Sequence, residues 1–385
     1  MGYKRLVAEI DLDAVDFNIK SIIKRVGGRA KIIGTVKADA YGHGAVEVSK
    51  VLEENGIDMF SVAMIDEGIN LRNNGIKAPI LVLGLTPPEY VKEAVEYDLI
   101  QTVSDYNTAE AISKAAKELN KKAVIHIKID TGMGRIGFRP EKEAFDEIEN
   151  ISKLENIEIN GIFTHFCTSD EKDKTFTYTQ KERFVYAVNE LEKRGINIPL
   201  KHASASAGLM DFDDLFFNAV RPGIILYGYY PSDDVMKDRL PIKPVMSLKS
   251  YVMYIKDIEN GDTIGYGRTY MANEKRTIAT IPAGYADGYN RLLSNKGCIL
   301  VNGKRAQLKG RICMDQCMAD ITGINAKQWD EVVLMGKQGN EEITADEIAN
   351  EIGTISYEVL CMVSKRVPRV YIKNGKVQKE INFLV

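Results

Sequence analysis

No stretch of the 385-residue chain comes near the run of about 18 apolar residues that a membrane-spanning helix requires, so no membrane association is expected. The amino terminus, MGYKRLVAEIDLD, lacks a long apolar core after its basic residues, which argues against secretion. Met1-Gly2 opens like a myristoylation signal, but Leu6 stands where Ser or Thr is wanted. Cysteine is scarce. Cys167, Cys298, Cys313, Cys317 and Cys361 form an odd set with no C-x-x-C pair, which suits free thiols in a reducing, cytoplasmic setting. The four histidines, His43, His126, His165 and His202, include no i, i+4 pair, and no metal is expected. Nor does one charge dominate: 51 Lys and Arg face 54 Asp and Glu, a net charge of −3 that removes the footprint of a nucleic-acid binder. With 45% hydrophobic and 27% charged residues, disordered, fibrous and low-complexity readings also fall away.

The chain is longer than one hydrophobic core usually serves, so two domains, or one large barrel with an appendage, are expected at roughly 100 to 200 residues per domain. Eight short β-branched runs, at 31–37, 59–63, 79–84, 100–104, 123–129, 159–166, 200–204 and 219–228, are predicted strands. Between them lie segments such as AVEVSKVLEENG and YNTAEAISKAAKELN, whose apolar residues recur near i, i+3, i+4 and i+7. This α/β pattern predicts an N-terminal (β/α)8 TIM-like barrel over residues 1–240, with a doubly wound sheet as the alternative. PSDDVMKDRLPIKP, around 231–245, reads as a linker. Residues 241–385 read as a mostly β C-terminal domain, with a helix at 345–353 and a closing hairpin about Asn374-Gly375.

A barrel gathers its functional groups where strands end on one face. Lys37 closes the first predicted strand, His165 nearly closes the sixth, Ser204 and Ser206 follow the seventh, and Arg221 lies within the eighth. Arg135 sits after the fifth in DTGMGRIG, whose glycines let backbone approach a ligand closely. Taken singly, such residues have ordinary fates: a solvated lysine, a packing tyrosine, an arginine in a surface ion pair. An arginine inside an apolar strand run is seldom that.

VKADAYGHG (36–44), KIDTGMGRIGF (128–138), FTHFCTSDE (163–171), RPGIILYG (221–228), GYGRTY (265–270), PAGYADGYNR (282–291), GRICMDQCM (310–318) and SYEVLC (356–361) together closely resemble alanine racemase. The likeness runs in order over nearly the whole chain. It implies an enzyme that interconverts L- and D-alanine on pyridoxal phosphate, supplying D-alanine for cell-wall peptides. By the resemblance Lys37 condenses with the cofactor aldehyde, and Tyr41, Ser206, Tyr357 and the backbone NH groups of Gly223 and Ile224 hold its phosphate. Arg221 would face the pyridine nitrogen; with a guanidinium pKa above about 12 it cannot surrender a proton, so that nitrogen stays unprotonated. The ring is then a weak electron sink, which favours quick reprotonation of Cα over transamination.

Inversion needs a proton removed from one face and returned to the other, hence two bases. The resemblance implies Lys37 for the D-enantiomer and Tyr266 for the L-enantiomer, with Arg135 and His165 helping the phenol to ionise. Arg135 and the Met314 amide would hold the substrate carboxylate, Tyr285 and Tyr357 would narrow the entrance, and Cys313 and Asp315 would shape the pocket. Cys313 as a nucleophile has no histidine near it in sequence. His202 opens HASASAG, where the family commonly has Asn just before the serine; here that residue is Ala205. Lys128 matches a lysine that some relatives carry as a carbamate. Family members place the tyrosine of GYGRTY across a subunit boundary, so a head-to-tail homodimer with composite sites is implied. Three other readings compete with this one. A non-catalytic pyridoxal-phosphate carrier lacks the β domain, a barrel decarboxylase would want a carboxylate at Arg221, and a racemase of another small amino acid such as serine differs by only about 1 to 3 kcal/mol in binding.

Overall fold

The computed structural model describes residues 5–384 and divides the chain into two compact units. One runs from Val15 to Lys243 with Tyr41–Gly44 excised; the other joins the stretch ending at Ala14, residues Tyr41–Gly44 and everything from Pro244 onward. The linear division at 240/241 therefore needs correcting at the amino end. Strand β1 (Leu6–Asp11) alternates buried Leu6, Ala8 and Ile10 with partly exposed neighbours, and this half-buried strand pairs within the C-terminal unit. LVAEID was too short and too near the start to be assigned to a sheet formed mainly by residues 246 onward.

The first unit is a closed parallel barrel of β2 (Lys31–Thr35), β3 (Met59–Val62), β4 (Ile80–Leu85), β5 (Leu99–Val103), β6 (Ala123–Lys128), β7 (Ile157–Phe163), β8 (Leu200–His202) and β9 (Ala219–Val220). All eight predicted strands are present, and helices such as Ala45–Glu54 and Tyr106–Glu118 intervene. The eighth is much shorter than 219–228. Pro222 has no N–H for a ladder, and the chain turns at Gly223 into a 3-10 helix, Ile224–Tyr227.

Side chains two apart on a strand point the same way, so the barrel interior is filled in layers. One layer is apolar: Ile33, Met59, Leu81, Ile100, Leu200 and Ala219. Two residues further along, on the side where the strands end, the series becomes mostly polar: Thr35, Ser61, Thr102, His202 and Arg221 are buried, with only partly buried Leu83 apolar, and buried His126 and Lys128 join them from β6. This polar layer lies at the C-terminal end of the barrel, the end at which barrels of this kind gather functional groups.

The second unit is mostly β. β10 (Met246–Tyr251) lies between β1 and β18 (Glu331–Gln338), in a sheet that also holds β15 (Cys298–Val301), β16 (Lys304–Gln307), β19 (Glu341–Ile343), β20 (Arg369–Lys373) and β21 (Lys376–Ile381). A smaller sheet orders β11 (Tyr254–Ile258), β14 (Arg276–Ile281) and β17 (Cys317–Asp320), and β12 (Thr263–Ile264) pairs with β13 (Tyr270–Met271). The helix expected at 345–353 is Ala345–Ile352, ended by Gly353 at φ 75°. The closing hairpin turns at Asn374 and Gly375, with φ of 53° and 67°, as a two-residue turn demands.

Candidate active site

Immediately after β2 the backbone does something unusual. Ala38, Asp39, Ala40 and Tyr41 all take left-handed φ, between 52° and 54°. Such turns cost about 1 to 2 kcal/mol per non-glycine residue, so the surroundings must hold them. The Ala38 N–H donates to Glu67 Oε1 at 2.6 Å, whose Oε2 accepts from the Ala63 N–H at 2.7 Å. Asp39 accepts from the Ala45 N–H at 2.7 Å. Lys37, expected to close the first strand, instead opens this turn two residues past β2 and is half-buried.

The other end of the turn is fixed within the second unit. Arg369 Nε donates to the Gly42 carbonyl at 3.0 Å, and a Cβ on Gly44, at φ +94°, would lie 1.8 Å from the Tyr371 hydroxyl oxygen. Tyr41 is buried there with its ring centroid 6.0 Å from that of Tyr357, and burial pushes its phenol pKa up.

Arg221, one residue beyond β9 and 4% exposed, is the centre of the polar layer. Its Nη2 donates to the carbonyls of Thr164 at 2.7 Å and Ala203 at 2.9 Å and contacts His165 Nδ1 at 3.2 Å; its Nη1 reaches His202 Nδ1 at 2.6 Å. Arginine is only a donor, so His202 Nδ1 accepts and His202 Nε2 carries the proton, which it donates to His126 Nδ1 at 3.0 Å. His126 Nε2 then holds the last N–H, buried with no partner among the described residues. Its ring occupies the space of a missing Cβ at Gly161, 2.5 Å from where that atom would stand. Phe163 stacks on His202 with centroids 4.8 Å apart. Burial, with Arg135 beside it, lowers the Arg221 pKa to about 9, which leaves the guanidinium charged at neutral pH.

Burial first, and these cations second, keep the imidazoles neutral. Burial and then Arg221 push His126 down to about 3, and the same two causes hold His165 and His202 well below 6.5. Arg135, Lys128 and Lys37 also act on His165, so these groups share one mouth. An unfolded chain binds protons on these rings near pH 6.5 while the folded one refuses them, so stability is lost as pH falls below 6.5. For the fully buried His126 and His202 the expected loss is about 1 kcal/mol per pH unit each. Thermal unfolding followed from pH 7 to 5 should show a falling midpoint; a flat or rising one contradicts the neutral relay.

Lys128 is 3% exposed, donates to the Ile129 carbonyl at 2.8 Å, and is lowered to about 7 by burial and then by Arg221. Ser206 accepts from the Gly223 N–H at 3.0 Å, beside the 3-10 helix that starts at Ile224. Ala205 is the N-cap of the short helix Ser206–Asp211 and has no side chain able to cap it. A cationic, donor-rich mouth with a lysine amine and a hydroxyl-and-amide cluster fits an anionic, aldehyde-bearing cofactor.

The alanine racemase N-terminal domain matches residues 10–231, and the alanine racemase C-terminal domain matches residues 245–371. Alanine racemase 1 of Clostridium acetobutylicum is 51% identical over 378 residues, 98% of each chain. The chain belongs to the alanine racemase family. The family is one of pyridoxal-phosphate-dependent racemases, which makes the chain an isomerase. The alanine racemase structure from Clostridium difficile 630 superposes with a TM-score of 0.96 at 48% identity, covering 99% of both chains. That from Bartonella henselae, described with covalently bound pyridoxal phosphate, has a TM-score of 0.85 at 27% identity, covering 96% of this chain and 100% of its own.

Of the residues the family resemblance singles out, Lys37, Lys128, Arg135, His165, His202, Ser206, Arg221, Gly223 and Ile224 fall in the barrel unit, and Tyr41, Tyr266, Tyr285, Cys313, Met314, Asp315 and Tyr357 in the other. Tyr266 stands on a tip bracketed by Gly265 at φ 72° and Gly267 at φ 71° and is 70% exposed. Burial raises the Cys313 thiol, which disfavours it as a nucleophile. His126 was missed as a site residue, although its position two before Lys128 on one strand face was readable.

Proposed function

We propose that the chain interconverts L- and D-alanine on pyridoxal phosphate, as its family membership and the buried Arg221 at the barrel mouth support. The carrying observation is that Arg221 is held by two carbonyls and two imidazole nitrogens, with no carboxylate hydrogen-bonded to it among the described residues. Pyridoxal phosphate, when bound, makes the Cα proton of a condensed amino acid acidic. Lys37 would hold the cofactor and carry a proton on one face of Cα, and Tyr266 would carry one on the other. Tyr41, Tyr357, Ser206 and the amides of Gly223 and Ile224 are proposed to bind the phosphate. Arg135 and the Met314 amide are proposed to bind the carboxylate, with Tyr285, Cys313 and Asp315 around them. Lys128, its amine lowered to about 7 by burial and then by Arg221 so that a substantial neutral fraction exists at pH 7, is proposed to add carbon dioxide and release a proton, giving a carbamate that pairs with Arg135.

Tyr266, Met314 and Tyr285 are 70%, 53% and 42% exposed on a single chain. Exposed aromatic and Met side chains are enriched in interface cores. This supports a homodimer in which each chain lends these residues to its partner's site. A cytoplasmic setting and a supply of D-alanine to peptidoglycan complete the proposal; among the described residues no helix is long and apolar enough to cross a membrane. The test is direct. Pyridoxal-phosphate-loaded protein given L-alanine in deuterated water should produce D-alanine labelled at Cα. Failure to form D-alanine would refute the reading, and faster turnover of serine would redirect it to another substrate.

A further inference from the structure

The segments 282–289 and 310–316 carry Tyr285 and Met314 and are joined backbone to backbone. The Tyr285 N–H donates to the Cys313 carbonyl and the Ala286 N–H to the Met314 carbonyl, each at 3.1 Å. A Cβ on Gly284 would stand 2.3 Å from the Met314 carbonyl oxygen, so only glycine allows the two segments to meet. Beneath the junction lies Asp287, 1% exposed. Its Oδ2 accepts from the Gly284 N–H at 2.9 Å, and its Oδ1 pairs with Arg5 and lies 3.7 Å from Arg366 Nε. Both arginines continue to the other segment. Arg5 Nη1 donates to the carbonyls of Pro282 at 3.1 Å and Asp315 at 3.2 Å, and Arg366 Nη2 donates to the Asp315 carboxylate at 2.8 Å. The Ser364 N–H, two residues past the helix Ser356–Met362 that carries Tyr357, donates to the Asp287 carbonyl at 3.0 Å.

A buried carboxylate is a poor choice for stability alone, because well-packed apolar groups often hold a fold as well or better. What it adds here is direction. One charge orients two guanidinium forks, and those forks fix the residue next to Met314. We infer that Asp287, through Arg5 and Arg366, is a positioning residue for the substrate carboxylate, setting the Met314 amide against the Tyr285 ring. The inference rests on the reading above in which the Met314 amide receives that carboxylate. An amide donor must be aimed to within a few tenths of an ångström, so a slackened junction weakens carboxylate binding before it touches proton transfer.

The test is Asp287→Asn in the pyridoxal-phosphate-loaded protein. Asparagine keeps an acceptor for the Gly284 N–H and removes the charge. KM for both alanine enantiomers should rise about tenfold, with kcat within about threefold of wild type. The calorimetric Kd of propionate, which keeps alanine's carboxylate and methyl but lacks its amine, should rise in parallel, while that of ethylamine, which lacks the carboxylate, should not. Unchanged KM and propionate binding overturn the inference. So does a loss of cofactor loading, unfolding midpoint and kcat that leaves both constants in place, since that marks a merely structural residue. If Asp287→Asn does not fold, Arg366→Gln decides, with a rise of about threefold in both constants expected and no change fatal. Propionate binding is read without turnover. A wild-type protein that fails to racemise alanine therefore sinks the functional reading, and calorimetry still settles Asp287.

Discussion

Lys37→Ala should abolish deuterium uptake at Cα of D-alanine and reduce that of L-alanine to near background, the largest loss expected of any single change. In the proposed function the lysine would have two duties, anchoring the cofactor and carrying a proton on one face, and a general base alone contributes about 10²- to 10⁴-fold. It opens a turn of four consecutive left-handed residues held by Glu67 and Asp39, an expense that is reasonable only if the amine must be aimed. Tyr266→Phe should behave differently, and the difference is the diagnostic. Enantiomers have equal free energy, so racemisation must fall by the same factor from either side. Exchange with solvent need not. A protein that keeps Lys37 can still wash deuterium into D-alanine from that face, whereas L-alanine should lose exchange by about 10²-fold or more. Equal and small effects on both enantiomers would refute the two-base assignment.

The same pair tests the composite site. In a mixed dimer of Lys37→Ala and Tyr266→Phe chains, one site carries both lesions and the other neither. Random pairing makes half the dimers mixed, so co-refolding should restore about a quarter of wild-type L-to-D activity. No recovery would place both residues of a site on one chain.

Much of this was legible in the sequence, for reasons that can be named. All eight barrel strands were readable because a buried parallel strand is a short β-branched run between helical periods. Arg221 stood out as a charge inside such a run. Three features were not legible. The grouping of Leu6–Asp11 with strands more than 230 residues later depends on tertiary pairing that no local pattern announces. The left-handed turn at Lys37–Tyr41 contradicts the preferences of its own alanines and exists only because hydrogen bonds from distant segments hold it. Asp287 reads as one acid among 54 Asp and Glu; its burial between two arginines from opposite ends of the chain is a property of the fold.

Replacing Arg221 should change which reaction the protein performs as well as its rate. The guanidinium is charged at neutral pH and would not give up a proton to a ring nitrogen, so a cofactor held against it would be a weak electron sink, favouring quick reprotonation of the substrate Cα. Gln at this position removes the charge, and Glu supplies a carboxyl able to share a proton with the ring. Racemisation should therefore fall in the order Arg, Gln, Glu, by about 10²-fold or more for Glu, while transfer of the amino group to the cofactor, with water supplying the keto oxygen of released pyruvate, rises in the same order. Both changes leave acceptors stranded: the Thr164 and Ala203 carbonyls lose Nη2, and His202 loses the donor that fixes its tautomer. A buried acceptor without a partner costs about 1 to 3 kcal/mol, so the unfolding midpoint should drop in both variants. That shared cost separates stability from chemistry. If Gln and Glu destabilise alike yet pyruvate accumulates mainly with Glu, the ring nitrogen is being tuned from position 221; if pyruvate per racemisation event stays at the wild-type level in both, Arg221 is a structural cation and the weak-sink account fails.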